Sequence, residues 1–226
     1  MSKERNVSAY ATVRALVLAL TVVGCRGTGA AAAPPTTARA PAPVEQAEAL
    51  AEDVQTDVAQ GAWPVAEAGA RELRSLGEKL HTAGVPVSKQ SGYGPAVDSL
   101  SAAISRRSQS EALTAGNHVS RIVTGIMGDY PSKVPVEVAY MDVAGRDVLY
   151  AAQQGRWSDA AAPMAEVARS YSTVQPYVRT NNFALDQVVT SKIAQLRSAV
   201  ASREARQVTS LAQILLDDVG RIELIF

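Results

Sequence analysis

Apolar residues in this chain recur at steps of three and four, the spacing that lines one face of a helix. Ala47, Leu50, Ala51, Val54 and Val58 form one such stripe. Val65, Gly69, Leu73, Leu76 and Leu80 form a second, and Val119, Ile122, Val123, Ile126 and Tyr130 a third. Val208, Leu211, Ala212, Leu215 and Val219 repeat the pattern, continued by Ile222 and Phe226. A stripe of this period belongs on a helix packed along one side. No segment alternates apolar and polar residues between turn signals, so strands are not expected. Apolar residues make up 47% of the chain but aromatics only 5%. That alanine-rich balance suits packed helices better than a sheet sandwich. The expectation is an all-α bundle of about eight helices.

Punctuation between the stripes agrees. Gly61 followed by Trp63-Pro64 ends one helix and opens the next, since proline near a helix start gives up an N–H that would be unpaired anyway. Ser108 and Glu111 have the spacing of a capping box. Tyr130-Pro131 closes the helix that follows, and Pro135 opens another. On that next helix Val136, Ala139, Val143 and Tyr150 make one stripe, and Val138, Met141, Val148, Leu149 and Ala152 make a second. Two stripes predict a central helix packed on both flanks. Asp142 and Asp147 on it then need partners, and Arg146 and Arg156 are near in sequence.

The two halves resemble each other. Asp53-Val54 through Gln60-Gly61-Ala62-Trp63 matches Asp147-Val148 through Gln154-Gly155-Arg156-Trp157 at an offset of 94. His118-Val119-Ser120-Arg121-Ile122 reads against Gln207-Val208-Thr209-Ser210-Leu211 at 89, and Ala96-Val97-Asp98 against Ala184-Leu185-Asp186 at 88. A shorter loop in the second copy would shrink the offset in this way. Two repeats built of helical hairpins are expected, over residues 44–130 and 131–226. The Gly-x-Trp junction and the stretch AAQQGRWSDAAAPMAEVARSY resemble a tetratricopeptide turn. The other positions of that motif are not matched at its period of about 34 residues, so the resemblance is generic to helical hairpins.

The start of the chain reads differently. Lys3, Arg5 and Arg14, with Glu4 the one acid among them, precede the apolar run Ala15 to Val23. A nine-residue run, apolar but for Thr21, suits a signal h-region and falls far short of the ~20 residues that a spanning helix needs. The run ends in Val22-Val23-Gly24-Cys25, which resembles the lipobox of bacterial lipoproteins. Cys25 is the one cysteine present, so no disulfide can form within the chain. The resemblance implies that residues 1–24 are a signal peptide and that Cys25 receives a diacylglycerol thioether and becomes the N-terminus. It also implies an exported, membrane-anchored protein on the periplasmic or extracellular face. In Gram-negative members of the class an aspartate after the cysteine marks retention at the inner membrane; Arg26 stands there instead and leans toward the outer one. Residues 26–43 (RGTGAAAAPPTTARAPAP) contain no large apolar side chain and are expected to be a disordered tether. The chain is also similar to uncharacterised exported helical lipoproteins of bacteria around Val134-Pro135-Val136-Glu137-Val138, a resemblance that implies no activity.

Charge excludes some partners. Basic and acidic residues number 22 each, and loss of residues 1–24 leaves a slight acidic excess. Nucleic acid is not an expected partner, and the lipid itself would supply most of the membrane affinity. Glu78 and His81 have the Glu-x-x-His spacing of di-iron bundles, but Ser172 to Tyr177 in the second half offers no matching motif. His118, Met127 and Met164 are the candidates for an axial haem ligand, with core or rim packing the commoner role for each. No metal or other cofactor is expected. There is no nucleophile elbow, Walker loop or dinucleotide fingerprint, and Gly92-Tyr93-Gly94 follows no strand. An enzyme is therefore not expected. The longest connector, Ala83 to Pro95, is the best place for binding, with Lys89, Gln90 and Tyr93 offering a cation, an amide and an aromatic ring. The expected function is a non-catalytic binding or scaffold module of the cell envelope with an envelope protein as partner. The alternative is a metal- or haem-binding bundle serving iron uptake or electron transfer.

Overall fold

Steps of three and four do become helices. The computed structural model describes residues 39–226, and among them every regular element is helical. Eight long helices and one single turn follow in order: α1 (Ala42–Gln60), α2 (Trp63–Thr82), α3 (Val87–Gln90), α4 (Tyr93–Ser105), α5 (Gln109–Met127), α6 (Val136–Gln153), α7 (Trp157–Asn181), α8 (Phe183–Ala201) and α9 (Ala205–Glu223). None of them is long and apolar enough to cross a membrane. Cys25 and the expected signal peptide lie outside the described residues. The expected tether reached Pro43, but α1 already begins at Ala42. Pro41 caps it, Pro43 sits in its first turn at no cost in hydrogen bonds, and Arg39 pairs with Glu45 at 2.7 Å.

The helices form two closed rings. In the first, α1 packs on α2, α2 on α4, α4 on α5, and α5 back on α1. In the second, α6 packs on α7, α7 on α8, α8 on α9, and α9 back on α6. Each ring has its own core. Leu73, Leu76, Leu80, Leu100, Ile104 and Ile126 fill the first, and Met141, Val167, Leu185, Leu196, Leu215 and Ile222 the second. Each such side chain, when fully buried, contributes about 1.5–3 kcal/mol of apolar transfer. The rings meet along α5 and α6, where α6 is packed on both flanks as its two stripes predict. Ladders of contacts fix the directions: Gln55 with Ser120, Asn117 with Val143, and Gln154 with Thr114. Neighbours around each ring are antiparallel, as short connections demand. The N-termini of α1, α4, α6 and α8 and the C-termini of α2, α5, α7 and α9 therefore share one end, here called the entry end. Trp63 and Trp157 mark the far end.

The turns at the far end repeat between the rings. Gly61 (φ 74°) and Gly155 (φ 68°) are both left-handed. The two N–H groups closing each turn bond back to equivalent carbonyls, Val58 and Asp57 in one ring, Ala152 and Ala151 in the other. The α4–α5 and α8–α9 turns match as well: Arg107 (φ 52°) and Arg203 (φ 57°) are both left-handed, with the same pair of closing bonds. That second correspondence has an offset of 96, so the offset grows between the turns and does not shrink to 88 or 89. The sequence match of His118 with Gln207 is seven residues out of step. Two helical turns return to the same face, so a slip of seven leaves the apolar stripe matched. In the structure Ala112 corresponds to Val208; each donates to the carbonyl of the residue before its helix, Ser108 and Glu204.

Candidate functional site

The expected binding loop is largely helical. α3 occupies its middle and α4 begins at Tyr93. Lys89 Nζ lies 3.0 Å from an Asp129 carboxylate oxygen. Gln90 donates its amide to the Val85 carbonyl. Tyr93 is 2% exposed and donates its hydroxyl to the Leu73 carbonyl at 2.9 Å, and burial pushes its pKa upward. Tyr93 ties the start of α4 to α2, Lys89 reaches the connector that follows α5, and Gln90 bonds within its own connector, so the three have separate partners. Glu78 and His81 stand exposed at the end of α2, and His118 is exposed on α5. Met164 is buried in the second core and Met127 packs against the first. No three His, Cys, Asp or Glu side chains among the described residues come together as a metal ion would require.

The densest polar cluster lies where the rings meet. Asn117 on α5 donates to the Val143 carbonyl at 2.9 Å and to Asp147 at 2.6 Å. Arg121, one turn on, reaches Asp147 through Nη2 at 2.7 Å and Glu166 of α7 through Nη1 at 2.7 Å. Arg146 bonds Asp142 at 2.7 Å and reaches Glu52 of α1 at 3.4 Å. Asp142 thus takes its expected partner, whereas Asp147 does not: Arg156 sits beyond the end of α6 and pairs with Asp159. Burial works against the charge on both Arg121 and Arg146, but their carboxylate neighbours outweigh it and hold each guanidinium above its ordinary pKa. Burial also pushes Tyr150, on the same helix, up to about 12. Each cation here bridges two carboxylates on different helices, so the cluster fastens those helices to one another.

A second cluster joins α7 to α8. Asp186 is fully buried, and its carboxylate accepts from Tyr171 (2.9 Å), Gln175 (2.8 Å) and Arg179 (2.8 Å). Burial alone would raise its pKa, but Arg179 and the other donors hold it below the usual carboxylate value. Asp218 on α9 is likewise buried and bonds Arg221 at 2.8 Å. Sequence reasoning missed Arg121, Glu166 and Asp186 as members of networks. The available signal for Asp186 was an acid one residue from the Leu185–Val189 stripe, a position turned toward the core. A shallow, open depression of about 310 Å³ at the start of α9 is lined by Ala205, Arg206, Thr209, Ser210 and Gln213.

Apolar exposure is concentrated at the entry end. Val87 (66% exposed), Tyr177 (45%), Phe183 (62%) and Leu224 (77%) lie there, four of the seven large apolar side chains exposed among the described residues. Tyr177 stacks on Phe226 with ring centroids 4.3 Å apart. No family model, no curated protein and no solved structure matches the chain.

Proposed function

We propose that the protein is an exported bacterial lipoprotein, anchored through a diacylglycerol on Cys25, whose helical body is a non-catalytic binding or scaffold module of the cell envelope. The observation that carries the anchor is Val22-Val23-Gly24-Cys25 at the end of the short apolar run that begins at Ala15, with basic residues before it. The reading of the body is supported by its polar clusters, in which the titratable side chains are tied into ion pairs between helices, and by two independent cores that give a rigid platform with a large outer surface. We also read the body as a duplication. The identical order of packing in the two rings supports it, as do the matched left-handed residues at Gly61 and Gly155 and at Arg107 and Arg203.

Mass spectrometry of the protein isolated from bacterial membranes tests the anchor. The expected N-terminal peptide begins at Cys25 and carries diacylglycerol, and Cys25→Ser releases the protein from the membrane fraction. An unmodified Cys25 in a chain that still begins at residue 1 would overturn it. For the binding role, crosslinking in intact envelopes is expected to trap an envelope protein on the outer faces of the rings.

A further inference from the structure

The geometry points to the entry end as a face that docks on the lipid surface, with Val87, Tyr177, Phe183, Leu224 and Phe226 lying at the boundary between headgroups and acyl chains. This rests on the anchored reading of Cys25. Three features of the molecule converge on it. First, large exposed apolar side chains gather at this end, whereas Val65 alone of them lies at the far end. Exposed apolar groups scattered singly mean little, but a gathering of them marks a contact surface. Second, two of the five are aromatic rings stacked on each other and a third is Phe183, at the first position of α8. Aromatic side chains are favoured where an apolar phase meets water. Lys133, in the α5–α6 connector at the same end, is exposed and free to approach phosphate headgroups.

The third feature is where the rest of the chain enters. α1 begins at Ala42 at this same end. Sixteen residues separate it from Cys25, a reach of about 50 Å at ~3.1 Å per residue. An anchor within that reach holds the entry end near the bilayer at an effective concentration of order millimolar. A weak interfacial affinity, useless to a free protein, then suffices to lay the body down. Such affinity scales with the apolar area buried at the interface.

The test uses the full chain carrying Phe183→Trp, isolated from bacterial membranes and reconstituted into phosphatidylethanolamine–phosphatidylglycerol vesicles with brominated acyl chains. Bromine quenches only indoles that reach the bilayer. Trp63 and Trp157 sit at the far end and serve as the internal control. Docking predicts that the added indole loses about half its emission or more relative to unbrominated vesicles, while the parent chain loses under about a tenth. Leu224→Trp, a second exposed position, should behave the same way. No quenching of either variant in chains that float with the vesicles would overturn docking. Self-association abolished by Phe183→Asp and Leu224→Asp, again without quenching, would assign the face to a second copy and overturn it equally. A parallel arm separates docking from the anchor. There Cys25→Ser chains, held on nickel-chelating vesicles by a hexahistidine tag replacing residues 1–24, should show the same quenching whatever the mass at Cys25 proves to be.

Discussion

Asp186 shows how much a single side chain can hold in this fold. It is fully buried, yet Tyr171, Gln175 and Arg179 bring α7 to it from one side while Thr190 lies one turn along its own helix. Its folded-state pKa is depressed, so it contributes stability above the unfolded-state value near 3.9, and that stability is lost as pH falls through the folded value. Asp186→Asn is expected to cost about 2 kcal/mol at neutral pH, because hydrogen bonds to a charged acceptor are worth more than neutral ones. The gap between variant and parent should narrow on acidification below about pH 4. Urea unfolding at both pH values checks this, and a gap independent of pH would assign the cost to shape alone.

Among the elements, what was legible followed the chemistry of each residue type. Gly61 and Gly155 announce left-handed turns because glycine adopts positive φ without strain. Arg107 and Arg203 adopt the same conformation with no signal in their side chains, so the sequence does not announce the second pair of turns, and its offset of 89 falls one heptad short of the 96 between them. Arginine there carries backbone strain. Arg107→Gly and Arg203→Gly are each expected to stabilise the protein by about 0.5–1 kcal/mol, read from the shift in the urea midpoint. The Val-Pro and Gly-Tyr-Gly-Pro runs predict a loop over Ala83–Pro95. In fact Pro95 is the third residue of α4, where its missing N–H has no helical partner to lose. The same logic fails to warn of α7, which continues through Pro163 and Pro176 under the hold of its neighbours. Ser108 does stand at the start of α5, as a capping box requires, but makes no capping bond; Glu111 pairs instead with Arg106 at 2.6 Å. Lys89 and Tyr93 could not be placed from sequence because their partners, Asp129 and Leu73, are far along the chain.

For the whole molecule, the decisive division is between cores that are closed and a joint that is charged. Arg121, Asp147 and Glu166 span the joint with Arg146 and Glu52 beside them. Trp63 belongs to the first ring and Trp157 to the second, so Trp157→Phe and Trp63→Phe chains report one ring each. Adding Arg121→Met with Asp147→Ala should move the two urea midpoints apart, since the pair fastens the rings without belonging to either core. Midpoints that stay together would show that apolar contact between α5 and α6 carries the coupling. Because each ring closes on itself, severing the joint would bare its ionic side chains together with Val143 and leave both cores closed. A lineage could therefore gain, lose or exchange a ring through recombination near residues 128–135 without opening either core.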